Sequence, residues 1–264
     1  MSGFRHPPVP WRSLRPQAVL GLTFLCLLMS FQLKSGETAA TQPSPSFVRF
    51  GMSSSLFREV NENDARASVR AYAKQLAEGH GLMADPNPRI FTGVAELSTL
   101  LSFGEVDLIS LPTQEYLALE ETLVTGPLLV SIINGSDYEE YVLLVGADSH
   151  VKGLADLNGL RLVVLDSLQG SLASPWLEVL LRNQASAPPE AFFSRVTRAV
   201  KITQTVLPVF FHQADACVVT RKGFALMGEL NPQIIKQLRV LETSPPLVPH
   251  LTCFRAGFDP ALKA

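Results

Sequence analysis

The chain has 264 residues, 47% of them hydrophobic, and carries a formal net charge of −2 at pH 7. Such a length can bury a sizeable core, either as one large domain or as two small lobes. The charge is mildly acidic and the sequence contains no basic run, which argues against a nucleic-acid partner.

The first 40 residues have the pattern of a secretory signal peptide. Three arginines precede an apolar run over 18–31, and small residues ending at Ala40 follow it. This order is typical of export signals. The run is shorter than the roughly 20 residues that span a bilayer, so we expect cleavage and export, with an uncleaved membrane anchor as the alternative. Cleavage would remove four basic residues and one acidic residue, which changes the net charge from −2 to −5.

The next part of the chain alternates strands with helices after a Pro/Ser linker over 41–46. Apolar runs and helical spacings predict, in chain order, a strand at 47–52, a helix at 61–79, a strand at 88–92, a helix at 96–103, a strand at 106–111 and a helix at 114–119. Two extended runs, 127–133 and 138–145, then follow each other without a helix. They interrupt the alternation and indicate a crossover.

A second alternating series follows the crossover. It consists of strands at 160–165, 196–202 and 216–220, followed in turn by helices at 172–182, 205–213 and 222–230. Two final strands, 239–242 and 251–254, are expected to return to the first lobe. The alternation predicts an α/β fold of two lobes with mostly parallel sheets joined by crossover hinge strands. We expect lobe 1 to comprise 47–133 and 239–264, and lobe 2 to comprise 134–238.

Ligands of open α/β sheets bind beyond the carboxyl ends of the strands, so the turns there are the candidate site. The turn over 166–171 is the leading candidate, with Ser167, Gln169, Gly170 and Ser171. It joins a buried strand to a helix, and the unpaired N–H groups at a helix start suit an oxyanion. Ordinary capping of the helix is the alternative reading of the same residues.

The remaining candidates are polar residues that follow the other strands of the two lobes. They are Ser53, Ser54, Thr92, Thr113 and Tyr116 in the first lobe and Thr203, Gln204, Thr220 and Arg221 in the second. The two serines are equally consistent with a plain loop. Tyr116 is consistent with packing, and Arg221 either pairs with an anion or is solvated at a helix start.

The sequence offers no catalytic or metal-binding pattern, so we expect neither an enzyme nor a bound cofactor. Cys217 and Cys253 lie in apolar runs, which favours buried thiols over the alternative of a disulfide. Asp107 and Asp215 are expected to belong to different lobes and to fix local backbone or hinge contacts rather than to form a catalytic pair.

The sequence resembles the phosphate, phosphite and phosphonate ABC transporter substrate-binding proteins, which have the type 2 periplasmic-binding fold. The segments that carry the resemblance are FGMSSSLF (50–57), VDLISLPTQEY (106–116), VLLVGADSHVKGLADLNGLRLVV (142–164), DSLQGS (166–171), QADACVVTRKGFALMGELNPQ (213–233) and RVLETSPPLVP (239–249). The resemblance implies a monomeric protein, exported to the periplasm, that captures a small oxyanion between its lobes and delivers it to an ABC permease. A periplasmic sensing module that feeds a membrane kinase or cyclase is the alternative.

Two departures from the family pattern concern the ligand. Leu168 and Gln169 occupy a turn that is rich in Ser and Thr in the phosphonate binders, and Ile202, Thr203 and Gln204 stand where those proteins carry a His-Glu pair. The second departure removes the acidic partner that an amino-bearing ligand would use. The resemblance therefore implies an anion site without specifying which anion it holds.

Overall fold

The computed structural model describes residues 47–57, 60–79, 83–132, 135–184 and 187–258. The predicted signal peptide and linker lie outside the described residues. The described residues belong to one structural unit, which contains both sheets described below.

The first sheet has five strands and is the centre of lobe 1. In chain order this part contains β1 (Phe47–Val48), β2 (Phe50–Ser53), α1 (Glu62–Gly79), β3 (Met83–Ala84), β4 (Arg89–Phe91), α2 (Gly93–Ser102), β5 (Leu108–Pro112), α3 (Thr113–Leu117) and β6 (Val124–Leu129), and β12 (His250–Arg255) joins it from the end of the chain. The strand order is β4-β2-β5-β12-β6. Strands β4, β2 and β5 run parallel, and β12 is antiparallel to β5 and β6. The short strands β1 and β3 pair separately.

The second sheet also has five strands and is the centre of lobe 2. Its elements are β7 (Tyr141–Gly146), β8 (Arg161–Leu165), α4 (Ala173–Gln184), α5 (Pro189–Phe192), β9 (Arg195–Ala199), α6 (Ile202–Phe210), β10 (Ala216–Thr220), α7 (Arg221–Leu230), α8 (Pro232–Gln237) and β11 (Leu238–Thr243). The strand order is β11-β7-β10-β8-β9. Strands β10, β8 and β9 run parallel, whereas β7 is antiparallel to β10 and β11.

Strand β7 shows why the second sheet is covered on both faces. All six of its residues, YVLLVG, are buried. Tyr141, Leu143 and Val145 pack into one apolar cluster, while Val142 and Leu144 pack into another. Side chains alternate between the faces of a strand, so a continuous apolar run indicates helices on both sides. This burial leaves only the strand ends free to present polar groups.

Two segments, 130–140 and 244–249, connect the sheets. Strand β6 leads into β7, and β11 leads into β12. The two segments are tied to each other by a bridge between Glu139 and Leu247, in which each backbone N–H donates to the other residue's carbonyl, at 2.8 and 2.9 Å. The expected crossover thus consists of two adjacent chain segments that connect the carboxyl edges of both sheets.

The structure corrects two of the sequence-based expectations. Strand β11 does not return to the first lobe, because Arg239 is paired with Val145 in the second sheet and the chain crosses back only after Thr243. Helix α6 begins at Ile202, three residues earlier than expected, and contains Pro208 in its interior.

Candidate functional site

A cavity of about 460 Å³ lies at the carboxyl ends of β8, β9 and β10. Its lining comes from the end of β8 and the turn after it, from the starts of α6 and α7, and from Glu139, which lies two residues before β7. The lining residues are Glu139, Leu165, Ser167, Gln169, Val200, Lys201, Ile202, Thr220, Lys222, Gly223 and Leu226. Three of the residues predicted from the sequence, Ser167, Gln169 and Thr220, are therefore brought together here.

The turn over 166–171 is held in one shape by its own backbone and by Tyr141. The N–H of Gly170 donates to Oγ of Ser167 at 3.2 Å, and the hydroxyl of Tyr141 donates to the carbonyl of Gln169 at 2.6 Å. Burial raises the pKa of Tyr141, so its hydroxyl stays protonated and remains a donor. Gly170 and Ser171 do not line the cavity.

Gly170 is required at its position by the closeness of the preceding strand. A Cβ atom there would lie 2.6 Å from the carbonyl oxygen of Leu165 and 2.8 Å from its Cγ. Contacts this short do not occur for real Cβ atoms, so glycine is the residue that allows the turn to fold back on β8.

Two lysines line the cavity at the starts of α6 and α7. Lys201 is the N-cap residue of α6 and has no side-chain cap bond. Among the described residues it forms no ion pair. Lys222 lies in the first turn of α7, where its Nζ donates to the carbonyl of Tyr138 at 3.2 Å and lies 3.5 Å from Oε1 of Glu139. With Glu139 the cavity lining carries a net charge of +1.

The sequence analysis predicted residues next to these lysines, rather than the lysines themselves, as ligand contacts. Thr203 and Gln204 lie in the first turn of α6 but are exposed and do not line the cavity. Arg221 is paired with Glu140 at 2.9 Å and donates to Oγ1 of Thr243 at 3.0 Å, so it ties α7 to the first connecting segment and to the end of β11. Lys201 could have been predicted from the sequence, because it is a basic residue between a parallel strand and an apolar helix.

The acidic side chain of Glu139 was also missed from the sequence. It is 13% exposed, and its Oε2 has no hydrogen-bond partner among the described residues. One carboxylate oxygen thus faces Lys222 while the other is free to accept a hydrogen bond.

Lobe 1 presents a second group of polar side chains at the carboxyl ends of β2, β4 and β5. Oγ of Ser54 and Oγ1 of Thr92 share a hydrogen bond of 3.1 Å. Ser55 donates through Oγ to Oε1 of Glu115 at 2.7 Å, and the other carboxylate oxygen of Glu115 has no partner in the described part of the chain. Ser53 is fully buried and accepts from the Ser55 N–H at 3.1 Å, so it shapes the turn from inside.

Thr113 and Ser171 meet at the connecting segment rather than at the cavity. The carbonyl of Pro249 accepts from the N–H of Thr113 at 3.0 Å and from Oγ of Ser171 at 3.3 Å. Thr113 also donates through Oγ1 to the carbonyl of Val248 at 2.5 Å. Tyr116 packs against the lobe 1 core, which matches its packing alternative. These contacts fix the hinge region.

Asp107 and Asp215 each form ion pairs within their own lobe. Asp107 in lobe 1 accepts from Arg49 at 2.7 Å and from Arg255 at 3.1 Å, and Asp215 in lobe 2 pairs with Arg161 at 2.9 Å. The expectation that the two aspartates serve separate local contacts is confirmed.

Cys217 and Cys253 are both free and buried, and they lie in different sheets, so the expectation of buried thiols is confirmed. Across the described ranges, no group of three or more His, Cys, Asp or Glu side chains is arranged to hold a metal ion. In that same part of the chain, no helix combines the length and apolarity needed to cross a membrane.

The chain is similar to several solved structures of bacterial proteins. XAC2383 from Xanthomonas citri bound to ATP is 21% identical with a TM-score of 0.55, covering 83% of this chain and 80% of that one. A binding protein component of the ABC phosphonate transporter from Pseudomonas aeruginosa is 17% identical with a TM-score of 0.48, covering 83% and 72%. PhnD1 from Prochlorococcus marinus in complex with methylphosphonate is 16% identical with a TM-score of 0.47, covering 81% and 78%.

The fold is that of the type 2 periplasmic-binding proteins, as the resemblance implied. No curated protein sequence matches the chain. The family model for the periplasmic substrate-binding protein of phosphonate ABC transporters matches residues 61–264, which is most of the chain. The chain therefore belongs to the family of periplasmic substrate-binding proteins of phosphonate ABC transporters.

Proposed function

We propose that this protein is exported to the periplasm, captures a small oxyanion such as phosphate, phosphite or a phosphonate in the cleft between its lobes, and delivers it to an ABC permease. The observation that carries the proposal is the cavity of about 460 Å³, where two lysines lie at the starts of α6 and α7. Ammonium groups and the positive ends of helix dipoles both attract anions.

In this proposal, the anion binds lobe 2 first. Lys201 supplies the charge, the amide of Gln169 and the hydroxyls of Ser167 and Thr220 supply donors, and the starts of both helices add favourable dipoles. Lys222 contributes less charge because Glu139 lies 3.5 Å from it. These groups bind and orient an anion, which suits a carrier rather than a catalyst.

Closure would then bring the lobe 1 polar group toward the bound ligand. The hydroxyls of Ser54 and Thr92 lie at the edge of lobe 1 from which the connecting segments leave. A ligand shifts the open–closed equilibrium only by the contacts it makes better in the closed form, so lobe 1 donors are needed for closure. The closed monomer would be the form that the permease recognises.

Isothermal titration calorimetry of the ligand-free protein against phosphate, phosphite and methylphosphonate tests the proposal. At least one anion should bind, and the affinity should fall as salt rises because the interaction is ionic. Replacing Lys201→Gln should weaken binding by about tenfold or more, since hydrogen bonds to charged groups contribute about 1.5–3 kcal/mol. Lys236→Gln is the matched control, because Lys236 lies away from this cavity.

The absence of binding with all three anions and with larger phosphonates would contradict the proposal. Unchanged affinity in the Lys201→Gln variant would refute the placement of the anion in this cavity.

A further inference from the structure

A second, much smaller cavity lies where the two connecting segments meet. Its lining comes from 130–131 and 136–139 of the first segment, from Gln169 in the turn after β8, and from Pro249 and His250, where the second segment runs into β12. Its volume is about 20 Å³. We call this space the hinge cavity. Because it touches both segments that join the sheets, its occupant affects how the two lobes are held together.

Two polar atoms of the residues that line the hinge cavity lack a partner. Oε2 of Glu139 and Nδ1 of His250 are both shut off from solvent, and neither forms a hydrogen bond within the ranges that the structure describes. That part of the chain has three such side-chain atoms in all, and two of them occur at this one small cavity. A buried acceptor without a partner is destabilising, and the large majority of buried polar atoms have a protein or water partner. The hinge cavity therefore requires a hydrogen-bonding occupant.

Both atoms act as hydrogen-bond acceptors. The carboxylate of Glu139 is ionised beside Lys222, whose Nζ lies 3.5 Å from Oε1, so Oε2 can only accept. Burial lowers the pKa of His250, so its imidazole is neutral at neutral pH and carries a single ring proton. With that proton on Nε2, the nitrogen Nδ1 accepts as well. An occupant that satisfies both atoms must therefore donate two hydrogen bonds.

The size and chemistry of the hinge cavity select water as the occupant. A water molecule needs about 10–15 Å³ of such space, so about 20 Å³ accommodates one water and no larger molecule. Its two hydrogens match the two acceptors. A metal ion fits less well, because no group of three or more potential metal ligands occurs in the described ranges and hard cations prefer oxygen to imidazole nitrogen.

We propose that the hinge cavity holds one water molecule, which donates one hydrogen bond to Oε2 of Glu139 and the other to Nδ1 of His250, and that His250 thereby positions the Glu139 carboxylate. A bridging water is enthalpically nearly as favourable as a direct hydrogen bond. The bridge ties the first connecting segment to the first residue of β12, which is a strand of the lobe 1 sheet.

The bridge also links the hinge to the lobe 2 cavity. Glu139 and Gln169 line both spaces. With the water in place, one oxygen of the Glu139 carboxylate is engaged at the hinge and only the other faces Lys222. Without it, both oxygens can turn toward the lysine and neutralise more of the charge that an anion would meet. This consequence rests on the proposed function, whereas the water site itself does not.

A crystal structure of the full chain, grown without phosphate or phosphonate, tests the site directly. One water should lie about 2.7–3.2 Å from both Oε2 of Glu139 and Nδ1 of His250. Nitrogen-15 NMR at pH 7 should show the neutral Nε2–H form of the His250 ring, assigned by comparison with the His250→Gln variant. A direct hydrogen bond between the two side chains, a cavity without water, a metal ion in it, or the Nδ1–H form would overturn the proposal.

Substitutions at His250 test the positioning role. His250→Leu removes the acceptor, so both oxygens of Glu139 should approach Lys222 in the crystal structure of the variant, and the affinity for methylphosphonate should fall about fivefold in calorimetry. His250→Gln restores an acceptor and should stay within about twofold of the wild type. His150→Leu is the matched control, because His150 is exposed and does not line the hinge cavity. Thermal melts verify that each variant is folded.

The outcomes separate the hinge site from the proposed function. An unmoved Glu139 carboxylate in the His250→Leu crystal, or equal affinities of the Leu and Gln variants, overturns the positioning role. If the wild type does not bind methylphosphonate, that result counts against the proposed function, and the two crystal structures alone decide the hinge site and the positioning role.

Discussion

Replacing Gly170→Ala tests how the shape of the 166–171 turn supports the site. The new Cβ would lie 2.6 Å from the carbonyl oxygen, 2.8 Å from Cγ and 3.0 Å from the carbonyl carbon of Leu165. Two of these three atoms belong to the backbone of β8, which is hydrogen-bonded on both sides to β9 and β10. The strand cannot move easily, so the turn itself must shift away.

Overpacking of this kind costs about 1–3 kcal/mol, and contacts with backbone place the expected loss near 2 kcal/mol in the free energy of unfolding. That is about a 30-fold change in the ratio of folded to unfolded protein. The movement would also displace Ser167 and Gln169, which line the cavity. We therefore expect anion affinity to fall by about tenfold as well, since a displaced donor loses most of its hydrogen bond.

Urea unfolding followed by tryptophan fluorescence measures the stability, and calorimetry with a phosphonate measures the affinity. Gly153→Ala is the matched control, because Gly153 has extended backbone with φ of −152° and no atom within 4 Å of the position of a Cβ. That variant should keep its stability within about 0.5 kcal/mol or gain slightly. If Gly170→Ala unfolds at the same urea concentration as the control and binds equally well, the steric argument is wrong.

Two further substitutions test the contacts that support the site and lobe 1. Tyr141→Phe removes the 2.6 Å hydrogen bond to the Gln169 carbonyl, so it should cost about 1 kcal/mol of stability and weaken anion binding. Urea unfolding and calorimetry measure the two effects. Wild-type stability together with wild-type affinity would contradict a supporting role for the hydroxyl. Burial alone would raise the pKa of Asp107, but hydrogen bonds from Arg49 and from the other arginine beside it outweigh burial and hold the pKa below its usual range. A lowered pKa contributes stability above about pH 4 that is lost as the pH falls further, so Asp107→Asn should cost about 2 kcal/mol at neutral pH. Its deficit relative to the wild type should shrink as the pH falls below about 4, and a deficit that does not change with pH would contradict this.

Much of the fold could be predicted because it follows from local patterns. The run YVLLVG of β7 is apolar at every position, which indicates a strand buried on both faces wherever it occurs. The rule that ligands bind at the carboxyl ends of strands then placed Ser167, Gln169 and Thr220 near one another, and the cavity contains all three.

The sheet membership of β11 could not be predicted in the same way. Its residues are as compatible with lobe 1 as with lobe 2, and the choice depends on non-local pairing of Arg239 with Val145. Nothing in a sequence of six residues encodes which distant strand will accept its hydrogen bonds.

The identity of the charged lining residues depended on where a helix begins. Because α6 begins at Ile202 rather than three residues later, Lys201 occupies the cap position beside the cavity, whereas Thr203 and Gln204 are exposed in the first turn. On α7, Lys222 lines the cavity while the preceding arginine is paired with Glu140. An error of three residues in a helix boundary therefore suffices to exchange a charged contact for neutral ones.

The central claim is that an oxyanion binds at the carboxyl ends of β8, β9 and β10 in lobe 2. A crystal structure of the protein saturated with methylphosphonate tests it most directly. The account predicts phosphonate density beside the starts of α6 and α7, with an oxygen about 2.8 Å from Nζ of Lys201. Density for the phosphonate at any other place in a fully occupied crystal would contradict the account.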